Sequence, residues 1–134
     1  MKTGKPFFDT NIALYLLSED QTKADCVETL LSGSGIISVQ VLNEFTSVAH
    51  RKLKMSYAEI RETLQIIQAV CQVKPLTLLT HETGLMIAEK YRYSFYDSLI
   101  ISAALHAECQ ILYSEDMQHG QIENRLLIQN PFLG

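Results

Sequence analysis

Pro6-Phe7-Phe8-Asp9-Thr10-Asn11, running on into Ile12-Ala13-Leu14-Tyr15-Leu16-Leu17, is the stretch that decides the fold. Apolar residues lead straight to an acid, a hydroxyl and an amide, and then apolar residues resume. The pattern predicts a short buried strand that stops at Asp9 and a helix over 11–17. In a parallel α/β sheet, ligands sit at the carboxyl ends of strands, which places Asp9 where chemistry is usual. Asp9 followed by Thr10 and Asn11 reads equally well as a helix cap.

The rest of the chain repeats the alternation. Lys23 to Leu31 has Ala24, Val27, Leu30 and Leu31 at helical spacing and ends at Gly33-Ser34-Gly35. Ile36 to Val39 is a second strand, short and largely apolar as a buried parallel strand should be. A helix from Gln40 to Leu53 carries Val41, Phe45, Val48 and Ala49 on its core face, with Glu44 at the edge of that face. Gln40, Ser47 and Arg51 share the polar stripe beside it. Ser56 and Glu59 form a capping box for a helix to Val70. Val73 to Thr77 is a weaker strand, because Pro75 limits pairing. Thr80 to Tyr91 is helical. Ser94 caps an apolar helix over Leu99 to Ala107. Ile111 to Tyr113 and Leu126 to Ile128 are the last strands. Strands separated by helices pair in parallel, so the expected fold is a three-layer α/β/α domain over residues 1–134, with a central, mainly parallel sheet of about five short strands.

Composition agrees with a globular chain: 47% of residues are hydrophobic and 19% charged. No apolar run approaches a membrane span, and the N-terminus lacks the sections of a signal peptide, so a cytoplasmic protein is expected. Cys26, Cys71 and Cys109 read as reduced, buried thiols. The net charge of −4 argues mildly against nucleic-acid binding through bulk positive charge.

Four acids stand at element ends or on a core-facing edge: Asp9, Glu44, Asp97 and Asp116. With parallel strands all four lie toward one edge of the sheet. Carboxylates so gathered repel one another and raise their pKa values. A hard divalent cation removes that conflict, and carboxylate oxygens suit Mg²⁺, with Mn²⁺ as a substitute. Each acid also has a plain structural reading. Asp9 and Asp97 fit helix caps, the latter as Ser94-x-x-Asp97, while Glu44 and Asp116 read as solvated acids. With a ligand role for Asp9, capping falls to Thr10. Apart from the four, acidic and basic residues balance at 11 each, so a cation-filled site faces phosphate without net repulsion. Arg51, Lys52 and Lys54 are the candidate contacts to a nucleic-acid phosphate backbone, with Lys90 and Arg92 a smaller second group; a solvated basic face is the alternative for both. The histidines lack ligand spacing. His106 reads as structural, and His119 stands near Asp116.

The ordered set Phe8-Asp9-Thr10-Asn11, Glu44, Tyr96-Asp97-Ser98-Leu99-Ile100-Ile101-Ser102-Ala103-Ala104 and Leu112-Tyr113-Ser114-Glu115-Asp116-Met117 resembles the PIN-domain ribonucleases, and within them the VapC-type toxins of bacterial toxin–antitoxin pairs. The resemblance implies a metal-dependent endoribonuclease leaving a 5′-phosphate and a 3′-hydroxyl. It implies Asp9 and Asp97 as principal metal ligands, Glu44 and Asp116 completing the site, Asn11 bonding near it, and Ser114 orienting it. It also implies a cognate antitoxin whose C-terminal segment fills the acidic site, and a homodimer to which the aromatic cluster Tyr91 to Tyr96 contributes. The surfaces around Ala13–Leu17 and Val41–Val48 read either as the antitoxin seat or as core. Met117-Gln118-His119-Gly120 departs from the family, which often places a further acid there. Glu115 competes with Asp116 as the fourth acid. Rival readings are a non-catalytic binding module and a receiver-like module. The latter requires paired acids after the first strand and a lysine after the last, and neither is present.

Overall fold

Phe7 and Phe8 form β1, and neither ring reaches solvent. Successive strand residues point to opposite faces, so burial of both requires cover on both sides of the sheet. β2, Gly35–Ser38, is buried at all four positions and makes the same demand. In the computed structural model, which describes residues 4–133, that cover is helical. Residues 1–3 and 134 of the expected 1–134 domain lie outside the described residues.

The remaining elements are α1 Thr10–Leu14, α2 Gln21–Ser32, α3 Val39–Arg51, α4 Tyr57–Val70, β3 Cys71–Lys74, α5 Leu78–Tyr91, α6 Phe95–His106, β4 Ile111–Tyr113, β5 Gly120–Ile122 and β6 Leu126–Gln129. The sheet runs β3-β2-β1-β4-β6-β5. Every neighbouring pair is parallel except β5 with β6. The chain leaves β1 toward β2 and β3 and then returns to the other side of β1 as β4. The crevice between the carboxyl ends of β1 and β4 is therefore a topological switch point, where open α/β sheets bind ligands.

The described sheet has six strands against the expected five or so. The extra one is β5, whose hairpin turn holds Glu123 and Asn124 at φ 52° and 53°. A hairpin turn with two successive positive φ values is signalled by Asn-Gly or Asp-Gly, and Glu-Asn in this three-residue loop carries no such signal. The third strand lies earlier than Val73–Thr77, because Pro75, without an N–H, ends the pairing at Lys74. The first helix is only five residues, continued by a 3₁₀ turn over Tyr15–Leu17. Ser56 and Glu59 do close a capping box on α4. α6 is buried at every position from Ser98 to Leu105, which explains its apolar character all round. Gly84 lets α5 approach it, since a Cβ there would stand 3.0 Å from Leu99 Cδ2. Gly35 makes room for the Phe8 ring, which a Cβ would overlap. All three cysteines are free; Cys71 and Cys109 are buried, and burial pushes both thiols up to about 11. Cys26 corrects the expectation, being only half-buried. Among the described residues, no helix is long and apolar enough to cross a membrane.

Candidate active site at the sheet switch point

The chain turns from β1 into α1 at Asp9, whose backbone is extended (φ −71°, ψ 161°) and whose side chain accepts the Thr10 N–H. Asp9, and not Thr10, is the helix N-cap. Asp9 is 3% exposed, and its carboxylate receives three donors. Thr10 N–H donates to Oδ1 at 2.7 Å, while Asn11 Nδ2 and Ser114 Oγ donate to Oδ2 at 3.0 and 2.7 Å. Burial nonetheless dominates and pushes the Asp9 carboxyl up to about 7, against the lowering by Ser114 and Thr10 and with the charges of Asp97 and Glu44 adding to the rise.

The other three acids arrive from separate elements. Glu44, half-buried on α3, accepts Thr10 Oγ1 at 2.6 Å and Gln40 Nε2 at 3.1 Å. Asp97 stands in the first turn of α6. The Ser94 hydroxyl accepts its amide at 3.2 Å, which is half of a capping box, while its side chain lines the cleft. Burial, then the Glu44 charge, raises its pKa; the Ser94 hydroxyl lowers it, and Asp116 adds a smaller rise. Asp116 follows β4 and is exposed at the rim. Asp9, Glu44, Asp97 and Asp116 line one cleft of about 320 Å³ together with Thr10, Asn11 and Arg51.

Glu115 turns elsewhere. Its carboxylate meets Lys23 Nζ at 2.5 Å and the Tyr15 hydroxyl, and these two donors hold it below the usual carboxylate range. Its amide donates to Asn11 Oδ1 at 3.1 Å. Ser114 is fully buried, and its hydroxyl also accepts the Met117 amide at 3.1 Å.

Of the basic candidates, Arg51 lines the cleft. Lys52 and Lys54 are exposed beyond it, at and after the end of α3. Lys90 is engaged with Glu123 at 2.8 Å. His106, exposed on the last turn of α6, meets Thr83 Oγ1 at 3.2 Å, and partial desolvation, then the Arg125 charge, lowers its pKa. His119 is exposed and outside the cleft lining. Thr10 and Gln40 were missing from the sequence-based site. Gln40, one turn before Glu44, carried a weak signal; the reach of Thr10 to Glu44, 34 positions away, carried none.

Among the described residues, no three acid, histidine or cysteine side chains close into a ready metal cage. That does not conflict with Mg²⁺, which keeps several waters and takes one or two protein carboxylates together with substrate phosphates. The donors are all hard oxygens, and the most buried of them, Asp9, has its proton affinity raised by desolvation. The set fits a hard divalent cation and does not suit a soft one.

Taken together, this is an α/β protein with an acidic cleft at the switch point of a mostly parallel sheet. The PIN domain family matches residues 7–124, and the chain belongs to that family. Solved structures agree in fold. VapC20 of Mycobacterium tuberculosis, a sarcin–ricin loop cleaving toxin, is 18% identical with a TM-score of 0.69, covering 84% of this chain and 90% of its own. A toxin–antitoxin complex from Klebsiella pneumoniae is 17% identical with a TM-score of 0.72, covering 96% and 98%. VapBC2 of Rickettsia felis, bound to a DNA fragment from its promoter, is 20% identical with a TM-score of 0.68, covering 93% and 97%. No curated protein matches the chain by sequence.

Proposed function

We propose that this chain is a divalent-metal-dependent endoribonuclease and the toxin of a toxin–antitoxin pair. The observation that carries the reading is the meeting of four carboxylates from four separate elements, with Arg51, in one cleft. Asp9 and Asp97 are the principal ligands of a Mg²⁺ or Mn²⁺ ion, with Glu44 and Asp116 completing its surroundings. Such an ion, when bound, supplies water activation and charge neutralisation at the phosphate. Ser114 and Asn11 fix the orientation of Asp9 through Oδ2, and Thr10 fixes Glu44. Arg51 holds the RNA phosphate at the mouth of the cleft, with Lys52 and Lys54 contacting the backbone farther out. The products are a 5′-phosphate and a 3′-hydroxyl.

The toxin–antitoxin complexes of similar fold support an antitoxin partner. Its segment lies in a groove of about 370 Å³ beside the acid cleft, walled by Leu14, Leu17, Val48 and Leu53 and sharing Asn11 and Asp116 with it. A basic side chain of that segment answers the acids. Homodimerisation is also proposed. Tyr91 and Tyr93 bond within the chain to Glu123 and Gln118, which leaves Tyr96, 61% exposed, as the outward member of the aromatic cluster.

The test is cleavage of total RNA by purified protein with Mg²⁺, with Mn²⁺ and with EDTA, beside Asp9→Asn. Metal-dependent cleavage lost in the variant is the expected result. Cleavage by Asp9→Asn at the parental rate would sink the mechanism, and no cleavage under any condition favours a non-catalytic binding module.

A further inference from the structure

Ser114 follows β4 directly, and the chain then bends through Glu115, Asp116 and Met117, so the regular alternation of strand side chains does not run on through the two acids. Ser114 points inward, fully buried on Asp9. Two acids in succession then stand beside the cleft, and strand alternation does not assign either of them to it. The choice is made by residues far away in sequence. Glu115 is gripped by Lys23 Nζ at 2.5 Å and by the Tyr15 hydroxyl, and Lys23 also reaches that hydroxyl at 3.1 Å. Lys23 is itself fixed: its ammonium stands 4.9 Å from the centroid of the Tyr15 ring and 4.9 Å from that of Phe132. Those rings meet edge to face at 5.1 Å. Phe132 belongs to the segment after β6, so the turn after α1 and the C-terminal segment both pack on Lys23, which α2 brings to Glu115.

The geometry points to Lys23 as a positioning residue: with Tyr15 it clamps Glu115 away from the cleft, so that Asp116 faces the acid site. The inference rests on the reading of Asp116 as the fourth acid of that site. An exposed ion pair alone contributes little. This pair is half-buried, shared between two donors and backed by two rings, and it acts on the adjoining residue through a backbone already tied at Asn11 and Ser114. Without Lys23, the Glu115 carboxylate is left without its cation among aromatic rings and turns toward other partners, carrying Asp116 out of register.

Lys23→Met keeps the apolar stem between the rings and removes the charge. It is compared with Lys23→Arg, Asp116→Asn and the double variant Lys23→Met/Asp116→Asn. Mn²⁺ affinity is read by electron paramagnetic resonance, and the Ser114–Met117 turn is read in crystal structures. Lys23→Met should weaken Mn²⁺ binding about tenfold, the lower end of outer-shell effects. Lys23→Arg should restore it, and the double variant should bind no more weakly than Asp116→Asn alone. A salt bridge that serves stability only would act independently of Asp116 and give additive losses. Additive losses, or a Lys23→Met crystal structure with Asp116 unmoved, would overturn the proposal. If the parent protein itself binds no Mn²⁺, the metal-dependent reading fails. The crystal structures then still decide whether Lys23 sets the direction of Asp116.

Discussion

Ser114 Oγ donates a 2.7 Å hydrogen bond to Asp9 Oδ2, joining the ends of β4 and β1 across 105 positions of sequence. The bond spans the switch point of the sheet and faces the carboxylate that burial most strongly disturbs. It holds the Asp9 rotamer and opposes the rise in its pKa.

Ser114→Ala should therefore lower RNA cleavage and Mn²⁺ affinity by about 10- to 100-fold, as outer-shell substitutions do. Loss of the donor also lets the Asp9 pKa rise further, so the pH dependence of Mn²⁺ binding should move to higher pH. A titration of Mn²⁺ affinity against pH for parent and variant checks both. An unmoved profile would mean that Ser114 only packs.

Asp9 also makes stability depend on pH. Its folded pKa, about 7, lies above its ordinary value of 3.8, so the fold favours the neutral carboxyl. That contribution is fully present below about pH 4 and is lost as pH rises through about 7. Asp97 is shifted in the same direction. His106, whose pKa is lowered, works the opposite way as pH rises. The difference between parent and Asp9→Asn isolates the carboxylate. In EDTA, the melting temperature of the parent should fall relative to the variant between pH 5 and pH 8, and Mn²⁺ at pH 8 should reverse the fall for the parent alone.

Arg51 is the one basic candidate among the residues lining the acid cleft, so its removal should be felt differently from that of its neighbours. Arg51→Ala should raise KM for RNA with kcat little changed. It should also reduce the slope of log affinity against log salt by about 0.7, the value for one phosphate contact on a single strand. Lys52→Ala and Lys54→Ala should give smaller changes. Binding of RNA to an Asp9→Asn background over a series of salt concentrations measures the slopes.

Gly35 tests the fold apart from the site. A methyl group there overlaps the Phe8 ring, which is fully buried. Gly35→Ala should destabilise the protein by about 1–3 kcal/mol, the usual range for overpacking. Urea unfolding measures it, and an unchanged midpoint would show that the Phe8 ring has room to move.

Much of this was legible from local sequence. Phe7-Phe8-Asp9 announced a buried strand ending in an acid, and Ser56 with Glu59 announced a helix start. Both signals act between residues a few positions apart, so they are carried by periodicity and capping chemistry. The alternation of strands and helices implied parallel pairing, and that placed four acids toward one sheet edge. By itself, then, the sequence determined the fold class and the roster of acids. The tertiary structure alone decided which way each side chain turns. Asp9 serves as cap and cleft acid together, Thr10 reaches Glu44 from 34 positions away, and Lys23 draws off Glu115 so that Asp116 stands at the cleft. The sixth strand escaped notice for a related reason, since Glu123-Asn124 adopts a turn its composition does not advertise. A backbone segment limits where a side chain can point, but the choice among those directions depends on partners that only the folded chain brings within hydrogen-bond reach.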